Sequence, residues 1–112
     1  MILYINTTNN TDIEVALKEK GQLLCKKVVK TNRDQAEKLL PLVEKILKEN
    51  KKQLKNIKGI EVKNSGGSFT SLRIGVVTAN ALGFALNIPV KGEKGKRGKI
   101  VQPIYNREPD IK

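Results

Sequence analysis

The chain has 112 residues, room for one domain and no more, and carries 22 Lys and Arg against 11 Asp and Glu, a formal charge of +11. It has no histidine and a single cysteine, Cys25, which removes the commonest general base, the commonest metal ligand and any internal disulfide. No run of about 18 apolar residues free of polar interruption predicts a membrane span, and Met1 leads directly into Ile2-Leu3-Tyr4-Ile5 without the basic region of a signal peptide.

A cytoplasmic protein without metal or cofactor is therefore expected. Ile2 to Ile5 reads as a buried strand ending in the polar turn Asn6-Thr7-Thr8-Asn9-Asn10. Ile13, Val15 and Leu17 alternate with Glu14 and Ala16, the pattern of a half-buried strand. Lys18 to Gln22 predicts a hairpin connection with Gly21 at positive φ, and Leu23 to Val29 the returning strand. Cys25 reads there as a small core residue.

Asp34 then starts a helix. Ala36, Leu39, Leu40, Leu42, Val43, Ile46 and Leu47 fall within an arc of roughly 160°, wider than one sheet contact needs. Pro41 lies inside the pattern on the charged side, where it removes one backbone hydrogen bond and bends the helix. Ile57, Ile60 and Val62 mark a short strand after the Lys-rich segment 51–55. A Gly66-Gly67 turn opens a second helix over Phe69 to Leu86, and Ile88 to Val90 reads as the last core strand. The order predicts an α/β layer, with two helices on one face of a mixed sheet of about five strands. Residues 1–90 form the expected domain, 91–99 a basic linker and 100–112 a strand or extended arm.

The second helix has two apolar arcs. One holds Ile74, Val77, Ala81, Phe84 and Ala85; the other holds Leu72, Gly75, Val76, Ala79, Leu82, Gly83 and Leu86. Gly75, Ala79 and Gly83 are spaced by four, so they line one ridge that another element can approach closely. Two glycines inside a helix cost about 1 kcal/mol each relative to alanine, which calls for a packing reason. Either the first helix of the same chain fills that groove, or a second chain completes a bundle. On the second reading the interface is Leu39, Leu40, Val43, Leu72, Gly75, Val76, Ala79 and Gly83.

Gly66, Gly67 and Ser68 precede a helix N-terminus, where free N–H groups favour anions and a phosphate is a candidate ligand. The turn lacks the lysine of a Walker loop and the spacing of a dinucleotide fingerprint, and Ser68 serves equally as an N-cap.

The segments I-L-Y-I-N-T-T, A-E-K-L-L-P-L-V, and G-S-F-T-S-L-R-I-G before A-L-G-F-A-L-N-I-P-V resemble the TsaB (YeaZ) family over about residues 1–90. The resemblance implies the RNase H-like fold of the actin, Hsp70 and sugar-kinase superfamily. It also implies a noncatalytic partner of TsaD in making threonylcarbamoyladenosine at adenosine 37 of tRNA. Family members use their two helices to form a bundle with TsaD, or with themselves when alone, so a heterodimer with a TsaD homologue and a homodimer in isolation are expected, with a TsaE homologue and tRNA met through the larger complex.

The chain departs from the family in several places. Asn6-Thr7 stands where the family often has Asp-Thr. Gln35 stands in the helix region where TsaD carries metal-binding histidines, and Ser65-Gly66-Gly67 replaces Gly-Pro-Gly. Pro103-Ile104-Tyr105-Asn106-Arg107 resembles a signature near the family's C-terminus, which implies a minimal member whose second domain gives way to the basic linker.

Two functions compete at this stage. One is a scaffolding subunit for a TsaD-type enzyme. The other is a small basic RNA-binding module presenting tRNA, with Lys94, Lys96, Arg97 and Lys99 on phosphates. An enzyme in its own right is not expected, because neither a base nor a metal cluster is visible.

Overall fold

In the computed structural model the described residues are 1–92, with the backbone of 97–98. Strand β1 (Ile2–Asn6) lies at the centre of a sheet with β2 (Asp12–Glu19) antiparallel to it, and β3 (Gln22–Lys30) antiparallel to β2. Lys20 and Gly21 form the two-residue hairpin between β2 and β3, both at positive φ (54° and 78°), as a turn matched to the strand twist requires. On the other side of β1, β4 (Gly59–Val62) and β5 (Val90–Gly92) continue the sheet in parallel, and a two-residue β6 (Arg97–Gly98) returns antiparallel on β5. The order is β3-β2-β1-β4-β5-β6.

The meander and both helices thus form where the sequence places them. The last core strand does not. It begins at Val90, two residues later than expected, because Asn87 takes a left-handed conformation (φ 56°) and the turn of Ile88 and Pro89 is spent closing the helix. The segment expected to be a linker, 91–99, accordingly contributes Lys91 and Gly92 to β5 and Arg97 and Gly98 to β6. Residues 100–112 and the arm expected there lie outside the described residues.

Helices α1 (Gln35–Glu49) and α2 (Phe69–Leu86) pack on one face of the sheet, α1 over β2 and β3, α2 over β1, β4 and β5. Alternation along the strands sends Leu3, Ile5, Ile13, Val15, Leu17, Ile60, Val62 and Val90 to that face, where all are buried. Leu39, Leu42, Val43, Ile46 and Leu47 meet them from α1, and Leu72, Val76 and Ala79 from α2. Each large aliphatic side chain buried there contributes roughly 1.5–3 kcal/mol. Pro41 sits on the exposed side of α1, where its missing N–H disturbs no core contact. Cys25 is half-buried under the end of α1, with the Asn50 amide donating to its sulfur at 3.1 Å.

Candidate functional site

The functional geometry begins where β1 ends. Asn6 Oδ1 accepts from the Thr8 N–H at 2.9 Å and the Thr8 hydroxyl at 2.7 Å, folding the chain over into a tight polar turn. Thr7, fully buried, then points at α2. Its hydroxyl donates to Ser71 O at 2.5 Å and accepts from the Gly75 N–H at 3.0 Å. A Cβ on Gly75 would lie 2.6 Å from that hydroxyl oxygen, so glycine is what lets the helix backbone come down onto β1. The Ser71 hydroxyl in turn bonds Gln35 Oε1 at 2.7 Å, and Gln35 Nε2 donates to Asn9 O at 2.6 Å. One buried polar chain therefore ties the β1–β2 turn, α1 and α2 together.

The glycine-rich turn closes on the same place. Gly66 and Gly67 both have positive φ (84° and 71°), and a Cβ on Gly67 would overlap the Thr8 carbonyl. That carbonyl accepts from the Ser68 N–H at 3.0 Å. Ser68 caps α2, its side chain accepting from the Ser71 N–H at 3.4 Å. Gly67 is thus accounted for by close contact with the Asn6–Thr8 turn, and Gly66 by its left-handed backbone alone. Of the other residues considered for phosphate, Lys94, Lys96 and Lys99 lie outside the described residues, and Arg97 is described only as backbone in β6.

Seven of the eight residues nominated for a protein interface lie in the chain's own core. Leu39, Val43, Leu72, Gly75, Val76, Ala79 and Gly83 are buried. The ridge of small residues meets the sheet, not another helix: Gly75 sits against Thr7 and Ile5, and a Cβ on Gly83 would overlap the Val90 side chain. Leu40 alone of the eight is exposed (47%). What faces outward is the opposite arc of α2, with Phe69 at 55%, Val77 at 60% and Phe84 at 89% exposure. Arg73 lies between them on this face, its guanidinium 6.0 Å from the Phe69 ring centre. By length and composition α2 is apolar enough to cross a membrane, yet only a third of it is buried. Its inward face is fixed to the sheet as in a folded core helix.

Among the described residues no three His, Cys, Asp or Glu side chains gather as metal ligands. Among the described residues Asp34, before α1, is the one carboxylate whose proton affinity is clearly moved. The Asn32 N–H donating to it at 2.8 Å, helped by Lys38 at 3.3 Å, holds it below its ordinary value.

Comparison with known proteins bears on this arrangement. Residues 29–108 match the family model of TsaD, the tRNA N6-adenosine threonylcarbamoyltransferase. Curated enzymes of that name from Nitrosospira multiformis and Nautilia profundicola are 34% identical over 75 residues and 39% identical over 64 residues. These stretches are 67% and 57% of this chain but only 22% and 20% of the relatives, so the chain spans about a fifth of their length. YeaZ from Pseudomonas aeruginosa superposes with a TM-score of 0.73 at 31% identity, over 81% of this chain and 42% of that one. RuvC of Thermus thermophilus superposes at 0.54 with 14% identity over 81% of this chain and 62% of that one, a likeness of fold alone. With its meander, two parallel strands and two helices on one face, the domain has the RNase H-like fold, and the chain belongs to the TsaD family, in which it is TsaB (YeaZ)-like.

Proposed function

We propose that this chain is a noncatalytic scaffolding subunit for a TsaD-type enzyme in the threonylcarbamoylation of tRNA adenosine 37, acting in the cytoplasm. The observation that carries the reading is the outward arc of α2. A helix of this apolarity that leaves Phe69, Val77 and Phe84 exposed carries the kind of surface that a partner protein covers. Val77 on α2 and Leu40 on α1 give that partner aliphatic surface, and Phe69 and Arg73 an aromatic and a cation at the N-terminal end. A chain left alone meets itself through the same face and forms a homodimer.

The positions that a catalytic relative would use for chemistry are occupied here with structure. Asn6 is spent on its own turn and Gln35 on the Asn9 carbonyl and the Ser71 hydroxyl, which supports a role without turnover. The net charge of +11 suits a protein working beside tRNA. Mixing with the TsaD homologue of the same cell tests the proposal. Light scattering should give a one-to-one heterodimer, and threonylcarbamoylation by the enzyme should rise when the chain is added. A monomer at high concentration that neither binds nor stimulates the enzyme overturns it.

A further inference from the structure

Strand β3 is the outer edge of the sheet on the side away from α2. It is nine residues long, Gln22–Lys30, has no proline and spans roughly 30 Å. Among the described strands it alone exposes large apolar side chains, with Leu23 at 56%, Leu24 at 48% and Val28 at 54%. Its register on β2 tells which backbone groups point outward. The Thr31 N–H donates to Thr11 O at 2.9 Å. In steps of two along the antiparallel ladder, Val29 and Lys27 then turn their N–H and C=O toward Ile13 and Val15. Lys26, Val28 and Lys30 turn theirs the other way, where no described strand meets them. The Lys30 carbonyl accepts from the Lys38 ammonium at 3.3 Å, which leaves the N–H of all three and the C=O of Lys26 and Val28 open to a further strand. The side chains of these three residues lie on the sheet face away from the helices, and all are exposed. Among the described residues neither Lys26 nor Lys30 is in an ion pair, whereas Lys27, on the helix side, is held by Glu49 at 2.9 Å.

A long open edge with apolar side chains is a template for another strand. Its lysines select which. A second copy of this chain is disfavoured: antiparallel self-pairing opposes Lys26 to itself when centred on Lys26, Lys27 to itself when centred on Lys27, and Lys26 to Lys30 on both sides when centred on Val28. A nucleic acid would use the ammonium groups but neither the backbone row nor Leu24 and Val28, and β3 has no aromatic side chain on which a base could stack. We propose that the β3 edge receives an extended segment of a partner protein by antiparallel strand addition, with an apolar residue opposite Val28 and acidic residues opposite Lys26 and Lys30. Backbone pairs at alternate residues hold the segment, and the cross-strand carboxylate–ammonium pairs choose it. This edge is a different surface from the outward stripe of α2, and the inference does not rest on what binds there.

Amide NMR of the full chain with the blocked peptide Thr-Glu-Thr-Val-Thr-Glu-Thr tests it. The peptide should shift and protect the amides of Lys26, Val28 and Lys30. Replacing both of its glutamates by lysine should weaken binding about ten-fold, and Lys26→Glu with Lys30→Glu in the chain should reverse that preference. N-methylation of the peptide's valine, which removes a pairing N–H, should abolish binding, while N-methylation of the threonine before it should weaken it far less. Four results would each overturn the proposal: the three amides already protected from exchange in the free chain, protection that grows with chain concentration, equal binding of the acidic and basic peptides, or tighter binding of an oligouridylate than of the acidic peptide at these amides.

Discussion

Thr7 holds the domain together at its most crowded point. Its hydroxyl serves Ser71 O and Gly75 N at once, inside a site closed to water. Replacing it with the isosteric valine removes both bonds and leaves Ser71 O and Gly75 N only their i, i+4 pairing within α2, which costs about 0.5–1.5 kcal/mol. Thermal denaturation of Thr7→Val should show a fall in Tm of roughly 4–8 °C per kcal/mol lost. The two turn glycines make a sharper comparison. Gly66 has open space around it, so Gly66→Ala meets only the left-handed backbone, at about 1–2 kcal/mol. Gly67→Ala meets the same backbone penalty and the Thr8 carbonyl, so chemical denaturation should show a clearly larger loss for it than for Gly66→Ala. Asp34 sets a pH dependence. Its folded pKa is lowered, so its contribution is present above the ordinary carboxylate range and disappears as pH falls through the lowered value. The Asn32 N–H is the larger cause, so an NMR titration of Lys38→Met should still place Asp34 below its ordinary value.

At the scale of elements, α2 decides what the molecule offers. Val77 is mostly exposed and Ala79 is fully buried, two residues further along the same helix. Val77→Arg should leave stability within about 0.5 kcal/mol, as surface changes do. Ala79→Arg forces a charge into the core and should cost at least about 3 kcal/mol, read by circular dichroism during thermal unfolding. This orientation was the part of the site that the sequence did not reveal. Strand alternation at Ile13, Val15 and Leu17, the Lys20-Gly21 hairpin and the period of α1 were legible, because each has one apolar face and one polar face. Both arcs of α2 are apolar, so periodicity says that it is a helix and not which side goes down. The usable signal was size. The small residues Gly75, Ala79 and Gly83 let the helix settle on Thr7, Ile5 and Val90, and the bulky Phe69, Val77 and Phe84 are left outside. Spacing by four announces a close approach without naming the neighbour, and here the neighbour is the sheet. The start of β5 was hidden for a different reason. Ile88 is apolar but serves the helix end, its N–H donating to Gly83 O at 3.0 Å, so hydrophobicity placed the strand two residues early.

Across the described residues the pieces form a domain that leaves the outward stripe of α2 exposed. Sheet and helices close over a continuous core, and the polar chain from Asn9 through Gln35, Ser71 and Thr7 fixes both helices to the strand end. That rigidity keeps the outward stripe of α2 in one shape, which lowers the entropy cost of docking on it. Membership of the TsaD family and likeness to YeaZ are the reason the proposal looks to a TsaD-type partner. The most direct test of the central claim, that this stripe binds a TsaD-type subunit, is calorimetric titration of the TsaD homologue with wild-type chain and with Val77→Arg. The account predicts that Val77→Arg keeps the wild-type Tm and binds about 100-fold more weakly, a loss of about 2.7 kcal/mol. Equal affinity for the two chains would contradict it.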